Sequence, residues 1–335
     1  MAALETSRGT EAPDFFVCDF FGATPKHDLA AMEHPLFSLS TRPDLRVVTY
    51  AHNDTVITVT PSVRGRATIF DADILIFCIS QLMAAINAGV TTARKLTLTA
   101  HDLLTATGRE TSGDGYARLR EAFERLAGTR ITTNIITGDV ETTSGFGLIE
   151  AWEIVRRTRA GRMVSVSVTL SDWLYRAVVS KSVLTLSREY FTLRKPLERR
   201  LYEIARKHCG RQPEWRIGLE TLLKKSGSTS PRRVFRAMLR ETMRGPGLPD
   251  YLMREEPGDI LVFAPRGVIE EMRALKPGPA RPAAPPLALA TLEAARKLAP
   301  GADVYALEAL WRSELAKVPR HPDAAFLDWL ALARD

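Results

Sequence analysis

The sequence predicts an α+β fold, predominantly helical, in which one series of elements occurs twice. Three observations predict it. Apolar residues recur at helical spacing in several stretches, among them Leu119, Ala122, Phe123 and Leu126, and later Leu197, Leu201, Ile204 and Ala205. Short stretches rich in Thr, Ile and Val alternate as strands do. Both halves of the chain then run in the order helix, short helix, tight turn, longer helix, β-hairpin, which is the order of a winged helix-turn-helix. The predicted architecture is therefore two tandem winged helix-turn-helix domains and a small helical C-terminal appendage.

The boundaries follow from composition. Residues 1–30 show no sustained period and are read as a flexible segment in which the Phe15–Phe21 cluster docks. The first domain is placed at 31–170. Asp71 or Asp73 caps an apolar helix running to Asn87 and stopped by Gly89. Arg94–Ala100 alternates like a strand, His101–Thr107 is a short helix, and Gly115–Ala127 is the longer one. Thr129–Thr137 and Phe146–Arg157 are expected to be its two hairpin strands. The second domain is placed at 171–270. Pro196 opens a helix that lasts to Gly210, Leu219–Lys225 is a short helix, and Gly227–Ser230 is a turn. Ser230 and Pro231 are expected as N-cap and first residue of a helix ending at Arg244, before Gly245-Pro246-Gly247. Tyr251–Glu255 and Ile260–Ala264 form the hairpin. A Pro-rich linker at 271–290, with five prolines between Pro277 and Pro286, leads to a helical segment at 291–335.

At 335 residues, with 45% apolar and 25% charged side chains and a mean hydropathy of −0.09, the chain has soluble globular composition. The longest apolar run, Ile74 to Ala88, is too short and too interrupted to span a bilayer, so no membrane partner is expected. The start of the chain lacks the pattern of a secretory signal. Three scattered cysteines suit a reducing cytosol. The expected location is the cytoplasm.

The informative quantity is where charge sits. The net +7 is not spread evenly: 16 Lys and Arg against six Glu lie between Arg188 and Arg244. That leaves ten positive charges on this block and three negative on everything else. A basic block in a folded, apolar-patterned region is the footprint of a polyanion surface. The helix after the turn carries Arg232, Arg233, Arg236, Arg240 and Arg244, with Val234, Phe235, Ala237, Met238 and Leu239 expected to hold the core. Arginine's planar fork grips guanine edges or phosphate. Arg232, Arg233 and Arg236, near the helix start, are expected to read bases; Arg240, Arg244, Lys224 and Lys225 to contact phosphate. Arg216 and Ser230 join this double-stranded-DNA set. The first domain offers Tyr116, Arg118, Arg120 and Arg125, offset by Glu121 and Glu124, so packing or homodimer formation competes there with DNA contact.

Catalytic patterns are lacking. The six histidines make no metal spacing, and no phosphate-binding glycine motif or nucleophile elbow occurs, so no cofactor or metal is expected. His208-Cys209 is read as structural, and Tyr190, a candidate strand-nicking tyrosine, as core. The chain is not expected to be an enzyme.

Several stretches resemble one family. Glu33-His34-Pro35-Leu36-Phe37-Ser38-Leu39-Ser40, Gly65–Asp71, Gly128–Ile135 and above all Tyr190–Gly210 are similar to bacterial plasmid replication initiators of the replication initiator protein A type. Pro322–Leu327 also resembles the tail of some members. The resemblance implies an initiator that binds repeated origin sequences (iterons) through two winged-helix domains. It also implies recruitment of the host initiator DnaA and the replicative helicase, copy control, and dimers that repress the initiator's own gene. A winged-helix regulator without initiation activity and an origin-nicking enzyme are the alternatives.

Overall fold

The structure, a computed structural model, describes residues 16–17, 23–52, 55–137, 140–156, 163–210, 212–266, 285–299, 304–315 and 318–332. The Pro277–Pro286 run and most of the Phe15–Phe21 cluster therefore lie largely outside the described residues, as does Arg211. The fold is mixed α/β and divides into two compact units. One comprises Met1–Lys207 and Leu222–Pro249; the other comprises His208–Thr221 and Asp250–Asp335.

In chain order the elements are β1 (Phe16–Val17), β2 (Lys26–Asp28), α1 (Leu29–Glu33), β3 (Val48–His52), β4 (Thr55–Thr60), α2 (Ala72–Asn87), β5 (Lys95–Leu98), α3 (Ala100–Ala106) and α4 (Gly113–Gly128). Then come β6 (Arg130–Thr137), β7 (Val140–Gly147), β8 (Ile149–Arg156), β9 (Met163–Leu170), α5 (Asp172–Val179), β10 (Val183–Thr185) and a 3-10 turn at Arg188–Thr192. The second series is α6 (Pro196–His208), β11 (Trp215–Gly218), α7 (Leu219–Ser226), α8 (Arg232–Arg244), β12 (Tyr251–Glu256) and β13 (Ile260–Pro265). Three helices follow: α9 (Leu289–Leu298), α10 (Val304–Glu314) and α11 (Pro322–Leu332).

Short polar side chains set the helix starts of the first unit. Asp28, Thr99, Ser112 and Ser171 are extended at the N-caps of α1, α3, α4 and α5, and each accepts from a backbone N–H in the first turn. α2 is apolar almost all round, and its residues are buried on nearly every side. Around it Ile74, Leu75, Leu82, Leu96, Leu103, Phe123, Val166 and Leu174 form one core. Within the segment read as flexible, β2 pairs antiparallel with β10.

The first hairpin corrects the sequence reading. Thr129–Thr137 and Phe146–Arg157 do not pair with each other; β6 pairs with β7, which occupies the stretch read as a loop. β6 and β7 complete a separate sheet of order β3-β4-β6-β7. The hairpin that joins β5 is β8–β9, giving the order β1-β5-β9-β8. Val140–Gly147 contains two glycines and two threonines, a composition shared by loops and by strands, and the sheet hydrogen bonds decide it.

In the other unit, β11 pairs with β13, and β13 with β12. This β11-β13-β12 order matches β5-β9-β8 element for element. Trp215 of β11 stacks on His208 at 4.8 Å and meets Phe263 and Tyr305. Tyr305 donates to the Arg216 carbonyl at 3.0 Å, which ties α10 to this sheet. The three terminal helices share a core of Leu292, Ala295, Trp311, Phe326 and Leu330.

Candidate nucleic-acid interface

α8 is presented by a turn built from hydroxyls. The Ser226 hydroxyl donates to the Leu223 carbonyl at 2.8 Å and accepts from Ser228 N, and the Ser228 hydroxyl accepts from Ser230 N. Gly227 sits at φ +72°, and a Cβ there would stand 2.6 Å from Pro35, so glycine is required on both counts. Ser230 does not cap the helix, a correction to the expectation. Pro231 occupies the cap position with extended backbone and no side-chain acceptor, while the Ser230 hydroxyl lies 4.0 Å from the Met238 sulfur. Pro231 thus supplies no side-chain cap to α8, and no acidic residue lies in its first turn.

Burial splits α8 into two faces. Phe235, Leu239 and Thr242 are buried, at spacings of four and three. Burying the two apolar side chains contributes about 1.5–3 kcal/mol each. Arg232, Arg233, Ala237, Arg240 and Arg244 are exposed, and Arg236 is half-buried. Val234 and Ala237, expected in the core, lie on the outside, Val234 with 46% exposure. The helix turns 100° per residue, so Val234 cannot face inward with both Phe235 and Leu239. Arg233 makes no ion pair with any described residue, and Arg244 donates only locally, to the Arg240 carbonyl at 3.2 Å.

α4 is different. Arg118 pairs with Glu110 at 2.5 Å, Arg120 with Glu124 at 3.2 Å, and Arg125 makes a two-pronged bond to Asp71 at 2.7 and 2.9 Å. The Arg125 guanidinium is held charged chiefly by that Asp71 hydrogen bond. Tyr116 is half-buried against the core. Asp71, Glu110 and Glu124 thus offset the charge of these three arginines.

The family model for replication initiator protein A matches residues 26–253. This chain belongs to that family. It is 38% identical over 258 residues, 76% of this chain and 94% of the relative, to the "Putative replication protein" of Wigglesworthia glossinidia brevipalpis. Its fold is similar to a crystal structure of domains 2 and 3 of RctB. The TM-score is 0.50 at 16% identity, covering 71% of this chain and 96% of that one.

In this initiator the basic block is partitioned between surface and interior. Arg199 and Arg200 are 2% and 3% exposed. Arg199 pairs with Asp73 at 2.5 Å, donates to the Leu193 carbonyl and lies over the rings of Phe70 and Tyr190. Arg200 pairs with Glu203 at 3.0 Å and donates to the carbonyls of Ala31 and Lys225. Lys225 pairs with Glu33, which also holds Lys207 at 2.8 Å; burial lowers the Lys225 ammonium pKa against the pull of that carboxylate. Arg216 pairs with Glu214 at 2.9 Å and Glu256 at 3.6 Å. Of the candidate cations outside the two helices, only Lys224 is exposed.

The nucleophiles weighed from sequence are enclosed. Tyr190 is fully buried and donates to Glu203 at 2.6 Å; burial and that carboxylate raise its phenol well above the usual range. Burial pushes the Cys209 thiol up to about 12. His27, also buried, would be lowered by burial alone, but the hydrogen bond and charge of Asp28 and the charge of Glu203 raise it. Among the described residues no cluster of His, Cys, Asp or Glu fits a metal ion, and no helix is long and apolar enough to cross a membrane.

Sequence reasoning missed a cleft of about 370 Å³ beside α8. Its walls include Ser38, Arg46, Arg66, Lys195 and the Ser228–Ser230 turn, together with the acids Asp44, Glu198 and Glu241. The resemblance in Glu33–Ser40 touched this wall without signalling it.

Proposed function

We propose that this initiator binds repeated double-stranded origin sequences through α8, acting as the recognition helix of a winged helix-turn-helix. The observation that carries the reading is the exposed arginine face of α8, anchored from behind by Phe235 and Leu239. Support for two such units comes from the matching series and the identical sheet order β5-β9-β8 and β11-β13-β12. Arg232 and Arg233, near the start of the helix, read base edges, and Arg240, Arg244 and Lys224 hold phosphates. Arg236 orients the helix from its half-buried position.

Initiation then proceeds by assembly and duplex distortion in the cytoplasm, with no bond made or broken by the protein. DnaA and the replicative helicase join the opened origin, and a dimer represses the initiator's own gene. Footprinting of purified protein on the DNA flanking its gene tests the reading. Protection at regularly spaced repeats, with permanganate-reactive thymines in a neighbouring A·T-rich stretch, is the expected result. Protection of an operator without permanganate reactivity leaves a bare regulator, and no protection at all overturns the duplex-binding reading.

A further inference from the structure

Two short segments of the first unit form a cationic surface that α8 and α4 leave unexplained. One is the tight turn Ser62–Gly65. Gly65 N donates to the Ser62 carbonyl at 2.9 Å, while the Ser62 hydroxyl donates to the Gly65 carbonyl and accepts from Arg64 N. Gly65 lies at φ +94°, and a Cβ there would stand 2.9 Å from Asp44 N, so the turn is pressed against the other segment, Thr41–Val47. Arg66 N donates to the Asp44 carbonyl at 2.9 Å and seals the contact. The Thr41–Val47 loop is itself fixed: the Ser40 hydroxyl bridges Arg42 N and O, and Asp44 accepts from Arg46 N and from both prongs of its guanidinium.

On this rigid backbone the charges do not balance. Exposed Arg42, Arg46, Arg64, Arg120 and Arg130 outnumber Glu124, buried Arg66 is matched by buried Asp44, and the cleft that Arg46 lines adds Lys195, Glu198 and Glu241, leaving three positive charges. Arg130 belongs to the patch because its partner in the sheet is Thr60, two residues before the turn. The nearest other acid on α4, Glu121, is turned to Arg125. Arg42 and Arg130 are exposed and make no ion pair among the described residues. The same segments expose apolar groups: Val63 at the tip of the turn is 94% exposed, Leu45 61% and Val47 59%.

An excess of arginine around a preorganised, apolar-tipped turn fits a duplex: the charges match a phosphate backbone, and a small apolar wedge fits against sugars and base edges in the minor groove. We propose that the Ser62–Gly65 turn and the Thr41–Val47 loop are a second duplex-DNA contact of this chain. Arg42, Arg64 and Arg130 neutralise phosphates there, and Val63 enters the minor groove. The proposal rests on the reading of the chain as a duplex binder and moves the first series' contact from α4 to this turn.

The test is fluorescence anisotropy of the full chain with a labelled mixed-sequence duplex of roughly 40 base pairs, between about 50 and 200 mM KCl. The Arg42→Ala/Arg130→Ala pair is compared with Arg233→Ala/Arg240→Ala, each checked for an unchanged circular-dichroism melt. Losing two phosphate contacts shallows the log–log salt slope by about 1.8. A shallower slope for both pairs is expected, and Val63→Asp weakens binding at every salt concentration. An unchanged slope for the Arg42/Arg130 pair beside a reduced one for the α8 pair overturns the second contact and leaves α8 standing. No salt-dependent binding by the unaltered chain overturns both. Should the alanine pair melt early, Arg42→Gln/Arg130→Gln gives the same reading with less loss of side chain.

Discussion

Replacing Arg199 by Met tests the claim that part of the basic block serves the interior. Arg199 is 2% exposed, and its removal leaves the Asp73 carboxylate, also buried, facing only Arg109, at 3.7 Å, among the described residues. It also deletes the donation to Leu193 and the stacking over Phe70 and Tyr190 at 4.6 and 5.0 Å. Leaving one member of a buried ion pair uncompensated costs about 3–5 kcal/mol, whereas replacing both members with apolar groups is often close to neutral. Arg199→Met is therefore expected to lower stability by about 3–5 kcal/mol in urea denaturation followed by tryptophan fluorescence. Arg199→Met/Asp73→Leu should recover most of that loss, because no buried carboxylate remains and Arg109, partly exposed, still reaches the Phe70 carbonyl and water. A loss below about 1 kcal/mol for the single variant, or a double variant no more stable than the single, refutes the reasoning.

Three further outcomes are expected. Arg233→Ala, on the open face of α8, should weaken origin binding by about 1–3 kcal/mol and relax sequence preference, whereas ion-paired Arg118→Ala should leave both near the unaltered value; gel-shift titrations with matched and mismatched sites decide it. Asp44 is held down to about 2, first by its hydrogen bond with Arg46 and also by Arg66. Because the folded value lies below the unfolded one of about 3.9, the stabilisation is complete above that pH and lost as pH falls toward 2. The stability gap between the unaltered protein and Asp44→Asn should therefore narrow over that window in acid titrations, and a constant gap counts against it. Cys209, buried with its thiol pushed up to about 12, should resist iodoacetamide at pH 8 until denaturant is added, and labelling of the native chain detected by mass spectrometry counts against this packing.

Much of the fold was legible because local signals agreed with tertiary ones. Pro196, the Leu219–Lys225 helix, and the two hairpin strands around Pro257-Gly258-Asp259 all lie where period and turn chemistry put them. The first hairpin was not legible, since the Thr-rich 140–147 stretch serves equally as loop or strand and its partner is fixed by long-range pairing. Met163–Leu170 alternates from Val164 onward, yet strand identity says nothing about which strand lies beside it. At the site, counting charges found α8 but could not separate Arg233, which faces solvent, from Arg199 and Arg200, which the core enclosed. Burial of an arginine depends on a carboxylate far along the chain, Asp73 in the first case, and spacing within one helix does not report it.

The two compact units alternate along the chain: the first takes Met1–Lys207, yields to the second for His208–Thr221, and resumes at Leu222–Pro249. During synthesis the first unit cannot close until Pro249 has left the ribosome, and by then β11 has emerged without β13 to pair with. Folding of the two is thus entangled in time, with non-local closure in both delayed to the last third of translation. No single cut separates them, so deletion variants ending between Lys207 and Pro249 strand an exposed core, and their loss of function reports misfolding before it reports a missing contact.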